Sequence, residues 1–200
     1  MLRKFLQHTR KPQGFWGRMM LRGMNHGHKP LSDWAMPHLP LSPDAHVLDV
    51  GCGGGANIAV LLRRCPQGLV DGLDYSPESV AASRRMNAAS RRCTVTEGDV
   101  GALPYENGSY DAVTAFETIY FWPDLPRAFG EIRRVLRPGG RFFLAGEMND
   151  PSSTFWTDRI DGMTIYSGED LRRRLEAAGF APVTLYTRKT WFCLLAEKPV

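Results

Sequence analysis

From about residue 46 onward, short apolar runs alternate with amphipathic segments, and this alternation predicts the elements of the chain. Apolar runs bounded by Gly, Pro, Asn or Asp are typical of strands, and apolar positions at helical spacing are typical of helices. The predicted strands are 46–50, 69–74, 94–97, 110–116, 141–145, 182–187 and 191–196. The predicted helices are 58–64, one that begins at Ser76, 125–136 and 171–178. Such an order predicts an α/β fold in which helices cover a parallel sheet.

Residues at the ends of these segments indicate where the helices begin and end. Ser76 and Asp124 precede two helical segments, where a side-chain oxygen can accept from an amide of the first turn. Ser167 is expected to begin the last helix and Gly179 to end it. The Pro-Gly-Gly sequence at 138–140 is expected to end the helix that starts near residue 125.

The two final strands are separated by few residues, which predicts an antiparallel hairpin. Residues 191–196 are apolar on both faces, so this strand is expected inside the sheet rather than at its edge. The sequence therefore predicts a mostly parallel sheet with an antiparallel strand from the C-terminal hairpin.

Residues 1–45 do not fit this alternation and carry the positive charge. Of the net charge of +4, residues 1–32 contribute +7 from seven Lys and Arg without any Asp or Glu, which leaves 4 − 7 = −3 for residues 33–200. We expect residues 1–45 to form an arm or lid and residues 46–200 to form one domain. A basic arm suits weak contact with a membrane surface, but no second basic cluster with interleaved aromatic residues supports nucleic-acid binding.

The remaining composition is that of an ordinary globular protein. Apolar residues make up 43% of the 200 residues, and no apolar run is long enough to cross a membrane. The first residues lack the apolar stretch and cleavage site of a secretory signal. The four cysteines lack Cys-x-x-Cys spacing and are expected to stay reduced, so a cytoplasmic location is predicted.

The strongest chemical signal is an apolar run that ends in a carboxylate and breaks into glycines. Residues 46–50 lead into Gly51, Cys52 and three glycines at 53–55, with Asp49 just before the turn. Glycines permit a tight turn in which the backbone approaches a ligand closely. An α/β fold builds a nucleotide-type pocket at such a turn, at the carboxyl end of its first strand.

Three further motifs follow this turn along the chain. They are Gly72-Leu73-Asp74-Tyr75-Ser76; Glu97-Gly98-Asp99-Val100 with Leu103-Pro104; and Tyr110-Asp111-Ala112-Val113 running to Arg134-Val135-Leu136-Arg137-Pro138-Gly139-Gly140. With the glycine turn, they make residues 45–198 resemble the class I S-adenosylmethionine-dependent methyltransferases, of the small-molecule type that includes quinone-biosynthesis enzymes. The resemblance implies a Rossmann-like, seven-stranded, mostly parallel sheet with an antiparallel C-terminal hairpin strand, helices on both faces and an N-terminal helical lid.

The resemblance also implies that the chain binds S-adenosylmethionine and releases S-adenosylhomocysteine. Gly51, Cys52 and Gly53 would turn under the methionine part of the cofactor, where a Cβ would collide. Asp49 would accept from the cofactor ammonium directly or through water, with the alternative that it holds the amides of its own turn.

Further contacts implied by the resemblance lie at the ends of the second, third and fourth strands. Asp74 would accept from both ribose hydroxyls, because an ionised carboxylate has two acceptor oxygens. The remaining contacts would be Tyr75 and Ser76 beside the adenine and ribose, Asp99 and Val100 at the adenine, and Phe116 near the methionyl amine.

A nicotinamide-dependent dehydrogenase is the nearest rival class, since it also has a glycine turn followed by an acidic residue. Two features argue against it. Asp49 stands just before the glycines, and the chain ends in a helix and an apolar hairpin without a substrate domain.

The implied reaction is an in-line displacement at the sulfonium methyl, with His26, Glu117 and Tyr120 as candidate catalytic residues. A base helps when the acceptor is a phenol or hydroxyl. Histidine titrates near neutrality, so His26 or His28 suits that role, although a loop histidine without a proton to move is the plainer alternative. Glu117 suits a base or a helix-cap acceptor equally, and Tyr120 suits either a cradle for the sulfonium or core packing.

Other residues are expected around the acceptor, and no metal ion is predicted. His26-Gly27-His28 could ligate a metal but lacks a clear third ligand. Further candidates for the acceptor pocket are Trp16, Met20, Asn25, Thr118, Ile119, Phe121, Trp122, Phe155 and Trp156.

The predicted function is methyl transfer to a small molecule, with three alternatives kept open. A lipid-like acceptor fits the basic arm, and a non-catalytic cofactor-binding module fits the fold. A macromolecular acceptor is less favoured, since Phe116-Glu117-Thr118-Ile119 replaces the Asn/Asp-Pro-Pro-Tyr signature of amino-directed nucleic-acid enzymes. The acceptor atom, the need for a base and the oligomeric state are not determined by the sequence.

Overall fold

The computed structural model describes residues 27–200 together with Gly23. Helices in this range are α1 (Lys29–Ala35), α2 (Ala56–Arg64), α3 (Pro77–Met86), α4 (Leu125–Val135) and α5 (Gly168–Ala177), with short 3₁₀ turns at Met36–His38 and Ile119–Phe121. Strands are β1 (His46–Val50), β2 (Leu69–Asp74), β3 (Cys93–Glu97), β4 (Tyr110–Phe116), β5 (Leu136–Gly146), β6 (Val183–Arg188) and β7 (Trp191–Glu197).

The strands form one seven-stranded sheet in the order β3-β2-β1-β4-β5-β7-β6. The first five strands are parallel, and β7 runs antiparallel between β5 and β6. Both faces of β7 are covered, and Phe192, Cys193 and Leu194 are fully buried. The predicted α/β class, the C-terminal hairpin and the interior position of its last strand are confirmed.

Helices cover both faces of the sheet because alternate strand residues point to opposite sides. Along β1, Val47 packs into a core that includes residues of α1, α2 and α3. The next residue, Leu48, packs into a second core that includes residues of α4 and α5. The sheet thus has two apolar layers, as the resemblance implied.

The predicted helix caps are confirmed. The side chain of Ser76 accepts from the Ser79 amide at 3.4 Å and begins α3. Asp124 accepts from the amide of Arg127 at 3.1 Å at the start of α4. Ser167 begins α5 in the same way.

The predicted boundary at residue 136 was wrong. Leu136 is already extended and pairs with Tyr110 as the first residue of β5, while Arg141 pairs with Ala112. Residues 137–140 therefore form an irregularity within β5 rather than a turn after a helix. The helical spacing of apolar positions continues to Leu136 because its side chain is buried in the same core as α4.

The described part of the N-terminal arm packs on the domain. Leu31 and Leu39 are fully buried in the core beneath α2, and Arg64 donates to the carbonyl oxygen of Leu39 at 2.6 Å. Residues 1–22 and 24–26, including most of the basic charge and the candidate helix at 15–22, lie outside the described residues. None of the helices in the described part of the chain has the length and apolar content that a bilayer crossing requires.

Candidate functional site

A cavity of about 550 Å³ opens at the carboxyl ends of β1, β2 and β4. The order of the sheet reverses between β1 and β4, and ligands of open α/β sheets bind at such a reversal. The volume lies in the range of small-molecule sites, about 300–1,000 Å³. The glycine turn, the ends of these strands and the start of α1 line the cavity.

The glycine turn after β1 is closed on one side and open on the other. Gly51 has φ +70°, and a Cβ at this position would lie 2.3 Å from Oγ1 of Thr118. Its amide donates to the carbonyl oxygen of Leu73 at 2.7 Å, which fastens the turn to β2. Gly53 has φ +51°, but a Cβ there would meet no heavy atom within 4 Å. The turn is therefore tightly packed at Gly51 and faces open space at Gly53.

Asp74 at the end of β2 holds the glycine turn and the start of α3 at once. One of its carboxylate oxygens accepts from the Gly53 amide and the other from the Ser76 amide, each at 2.9 Å. The pKa of Asp74 is raised overall because burial outweighs the lowering effect of these two amide bonds and of a side-chain hydrogen bond with Ser79. An ionised carboxylate offers about four acceptor sites, so Asp74 keeps acceptor capacity for a ligand.

Asp49 at the carboxyl end of β1 is buried and bonded across the sheet. Thr114, its register partner on β4, donates its hydroxyl to Asp49 at 2.7 Å. Burial raises the pKa of the Asp49 carboxyl to about 7, and the Thr114 bond lowers it. The amides of Gly51 and Gly53 donate to other acceptors, so these two turn amides are not held by Asp49.

Asp49→Asn is expected to stabilise the ligand-free protein more at pH 8 than at pH 5. The pKa of the Asp49 carboxyl is about 7 in the folded protein, against 3.8 for the free group. The contribution of this carboxyl to the stability of the folded protein is therefore complete below pH 3.8. It is lost as the pH rises to about 7 and through it. Three pKa units correspond to at most about 4 kcal/mol.

The free energy of unfolding in urea at pH 5 and pH 8 measures this difference. Asp158→Asn, which changes an exposed carboxylate, serves as the control. If Asp49→Asn changed the free energy of unfolding equally at both pH values, the raised pKa of Asp49 would be contradicted.

Glu117 follows β4 in a conformation that residues other than glycine rarely adopt. Its φ is +59°, and its amide donates to the carbonyl oxygen of Ala145 at 3.0 Å. Oε1 of Glu117 accepts from the Tyr120 hydroxyl at 3.1 Å and from the amide of Glu147. Burial raises the pKa of the Glu117 carboxyl to about 7. Such strain persists only where the surroundings enforce it, and it is concentrated at functional sites.

His28, immediately before α1, faces two carboxylates. Its Nδ1 lies 3.6 Å from Oε2 of Glu117 and 3.7 Å from Oε2 of Glu147, beyond hydrogen-bond distance. Burial lowers the pKa of His28, but the two carboxylates raise it by more, so the pKa is raised overall. Nδ1 is itself buried and has no hydrogen-bond partner.

The cavity brings together most of the residues that the sequence assigned to the cofactor. Those that line it are Gly51, Cys52, Gly53, Asp74, Tyr75, Asp99, Val100 and Phe116. Asp49 does not line this cavity, and Ser76 is fully buried as the cap of α3.

Only some of the residues predicted for the acceptor pocket line the cavity. Those that line the cavity are His28, Glu117, Thr118, Phe121 and Trp122, whereas Ile119 is fully buried outside it. Tyr120 is buried, where its hydroxyl also accepts from the Met148 amide at 3.1 Å. Phe155 and Trp156 lie outside the cavity and are 55% and 37% exposed. The candidates outside the described residues are Trp16, Met20, Asn25 and His26.

Sequence reasoning missed Glu147, and it did not predict that Thr118 supports the glycine turn. Glu147 directly follows β5, so its place at a strand's carboxyl end was the available signal. Thr118 lines the cavity and accepts from Nε1 of Trp122 at 3.2 Å. The role of Thr118 in supporting the glycine turn is apparent only in the structure, where Thr118 lies in close contact with Gly51.

The chain resembles known methyltransferases in sequence. A family model described as a methyltransferase domain matches residues 48–144. The chain is 29% identical to the chloroplastic 2-methyl-6-phytyl-1,4-hydroquinone methyltransferase of Arabidopsis thaliana, over 91% of this chain and 55% of that protein. It is 34% identical to the malonyl-[acyl-carrier protein] O-methyltransferase of Herminiimonas arsenicoxydans, over 72% of this chain and 56% of that protein. It spans about half the length of these curated relatives.

The fold also has close counterparts among solved structures. A chain from Aquifex aeolicus, described as a SAM-dependent methyltransferase, superposes with a TM-score of 0.77. The match covers 90% of this chain and 97% of that one at 17% sequence identity. At this identity, the comparison supports the fold alone.

Proposed function

Since the chain belongs to the class I S-adenosylmethionine-dependent methyltransferases, we propose that it transfers a methyl group from S-adenosylmethionine to a small-molecule acceptor. The observation that carries the proposal is that the glycine turn, Asp74, Asp99 and Val100 line one cavity at the carboxyl edge of the sheet. That arrangement suits an adenosyl ligand, since each part of the ligand would meet a residue of matching chemistry.

The cofactor would lie across the ends of the first four strands. The remaining acceptor capacity of Asp74 suits the ribose hydroxyls. Asp99 and the Val100 amide suit the adenine edge, and the open side of Gly53 suits the methionine part. Asp49, buried behind the turn and bonded to Thr114, would act on the cofactor ammonium through a water molecule.

The acceptor would occupy the side of the cavity that His28, Glu117 and the aromatic residues Phe121 and Trp122 line. A nucleophilic atom of the acceptor would form a bond to the methyl carbon. The bond from that carbon to sulfur would break, and its electron pair would remain on sulfur to give S-adenosylhomocysteine. Holding the two reactants in line is worth about 7–11 kcal/mol in such reactions, and the cofactor supplies the reactive group.

Calorimetry followed by a turnover assay tests the proposal. We expect the purified chain to bind S-adenosylmethionine and S-adenosylhomocysteine, and to release the latter with one member of an acceptor panel. The panel contains hydroquinones with and without an isoprenoid chain, phenols, amines and carboxylic acids. The hydroquinones with an isoprenoid chain test for a lipid-like acceptor. The name of the Arabidopsis relative includes a phytyl group, which supports this choice. Folded protein that binds neither cofactor form would refute the proposal.

Tyr120→Phe is expected to lower kcat about tenfold, since it removes the hydroxyl that donates to Glu117 and accepts from Met148. Tyr120 is assigned as a positioning residue, so the affinity for S-adenosylhomocysteine is expected to stay within twofold. Steady-state kinetics and calorimetry measure the two quantities. Tyr186→Phe on β6 is the matched control and is expected to leave both unchanged. A Tyr120→Phe variant with the kcat of the parent would contradict the positioning role of Tyr120.

A further inference from the structure

We infer that His28, Glu117 and Glu147 bind one divalent metal ion beside the cavity. The three side chains come from the start of α1, the end of β4 and the end of β5. One ligand atom from each lies within 4.8 Å of the others. The use of the ion in catalysis rests on the proposed methyl transfer, whereas its binding does not.

The distances between these atoms suit ligands around an ion better than partners in hydrogen bonds. The Nδ1 atom of His28 lies 3.6 and 3.7 Å from the nearest oxygens of Glu117 and Glu147. Hydrogen bonds from nitrogen to oxygen are shorter, about 2.7–3.2 Å. Two ligands that each lie about 2.1 Å from a tetrahedral ion are separated by about 3.4 Å. The three atoms already lie within 4.8 Å of one another, so a contraction would place them in the coordination sphere of one ion.

The environment of the imidazole nitrogen is a second indication of a metal site. Nδ1 of His28 is buried and has no hydrogen-bond partner, although buried polar atoms are nearly always paired. Among the described residues, the ion pairs of Glu117 and Glu147 are both with His28. A divalent cation would supply a partner for the nitrogen and offset the two neighbouring negative charges.

Supporting contacts fix two of the proposed ligands. The Tyr120 hydroxyl and the Glu147 amide donate to Oε1 of Glu117, which leaves Oε2 directed toward His28. The backbone of His28 is held by the Ser32 amide, which donates to its carbonyl oxygen at 3.1 Å. Metal ligands generally have such outer contacts, which orient them.

The donor set indicates the kind of ion and the class of acceptor. One imidazole and two carboxylates suit Zn²⁺, Mn²⁺ or Fe²⁺, and they leave coordination positions open. An acceptor hydroxyl bound at an open position would lose its proton to water at neutral pH, because the ion lowers its pKa. Its oxygen would then bond to the methyl carbon as the bond from carbon to sulfur breaks. The ion therefore favours an oxygen atom as the methylated position.

Direct metal binding tests the inference without reference to activity. Protein lacking a histidine tag is treated with a chelator, and Zn²⁺, Mn²⁺ and Co²⁺ are titrated by calorimetry, with visible absorption as the second readout for Co²⁺. We expect one equivalent to bind. Affinity should fall at least tenfold in His28→Ala and in Glu147→Gln. Glu106→Gln, which changes an exposed carboxylate just before the amino end of β4, is the control and should bind as the parent does.

Titration of S-adenosylhomocysteine into the same samples separates this inference from the proposed function. Binding of that ligand by the parent and by Glu147→Gln shows that each is folded. A parent protein that binds the ligand but none of the ions refutes the metal site. Unchanged metal affinity in folded Glu147→Gln refutes it as well. Binding of the ion without binding of S-adenosylhomocysteine supports the metal site and contradicts the proposed function.

Discussion

Asp74→Ala is expected to weaken S-adenosylhomocysteine binding at least about 100-fold. Hydrogen bonds to a charged group contribute about 1.5–3 kcal/mol each, and the proposed ribose contact contains two of them. The same change leaves the amides of Gly53 and Ser76 without their acceptor, so the free energy of unfolding should fall by about 1–3 kcal/mol. Calorimetry and urea unfolding measure the two effects.

A matched control for Asp74 lies on the neighbouring strand. Glu97 is exposed and is the register partner of Asp74, but it does not line the cavity. Glu97→Gln should therefore bind the ligand as the parent does. Asp74→Asn keeps one acceptor oxygen and should lose less stability than Asp74→Ala, yet it should still bind the ligand poorly. Affinity within threefold of the parent in folded Asp74→Ala would overturn the ribose assignment.

Gly51→Ala is expected to lower the free energy of unfolding by about 3 kcal/mol and to impair ligand binding. A residue with a Cβ is strained by about 1–2 kcal/mol at the positive φ of Gly51. The new methyl group would also lie 2.3 Å from Oγ1 of Thr118, and such overpacking costs about 1–3 kcal/mol. Because Thr118 accepts from the indole of Trp122, its displacement would disturb the cavity wall.

Gly53→Ala separates backbone strain from crowding. Gly53 also has a positive φ, but a Cβ there meets nothing within 4 Å. Its stability loss should therefore be limited to the strain, about 1–2 kcal/mol. Ligand affinity should nevertheless fall, since the added methyl group would occupy the cavity. Equal stability losses in the two variants, measured by urea unfolding, would show that the contact with Thr118 has no energetic role.

The features that the sequence predicts well are those that depend on neighbouring residues. The cap at Ser76 needs only an amide three positions later, and the glycine turn needs only the conformational freedom of Gly51 and Gly53. The interior position of β7 follows from a run that is apolar on both faces. Each of these signals is contained within a few consecutive residues, so no knowledge of the tertiary structure is required.

The features that the sequence does not predict depend on strand register and on distant segments. The bond from Thr114 to Asp49 exists because the two residues are paired across β1 and β4. The proximity of His28 to Glu147 joins segments that are far apart in the chain. The predicted helix end at Leu136 was wrong for a related reason. The side chain of Leu136 is still buried with those of α4, although its backbone is already extended.

The place of β7 between β5 and β6 has a consequence for how the protein is made. Translation delivers β6 before β7, yet β6 pairs with β7 and not with β5. Until residues 191–197 have left the ribosome, β6 lacks its neighbour and the edge of β5 is open. During that interval the nascent polypeptide therefore carries unpaired edges on both β5 and β6, and contact with a chaperone would protect them.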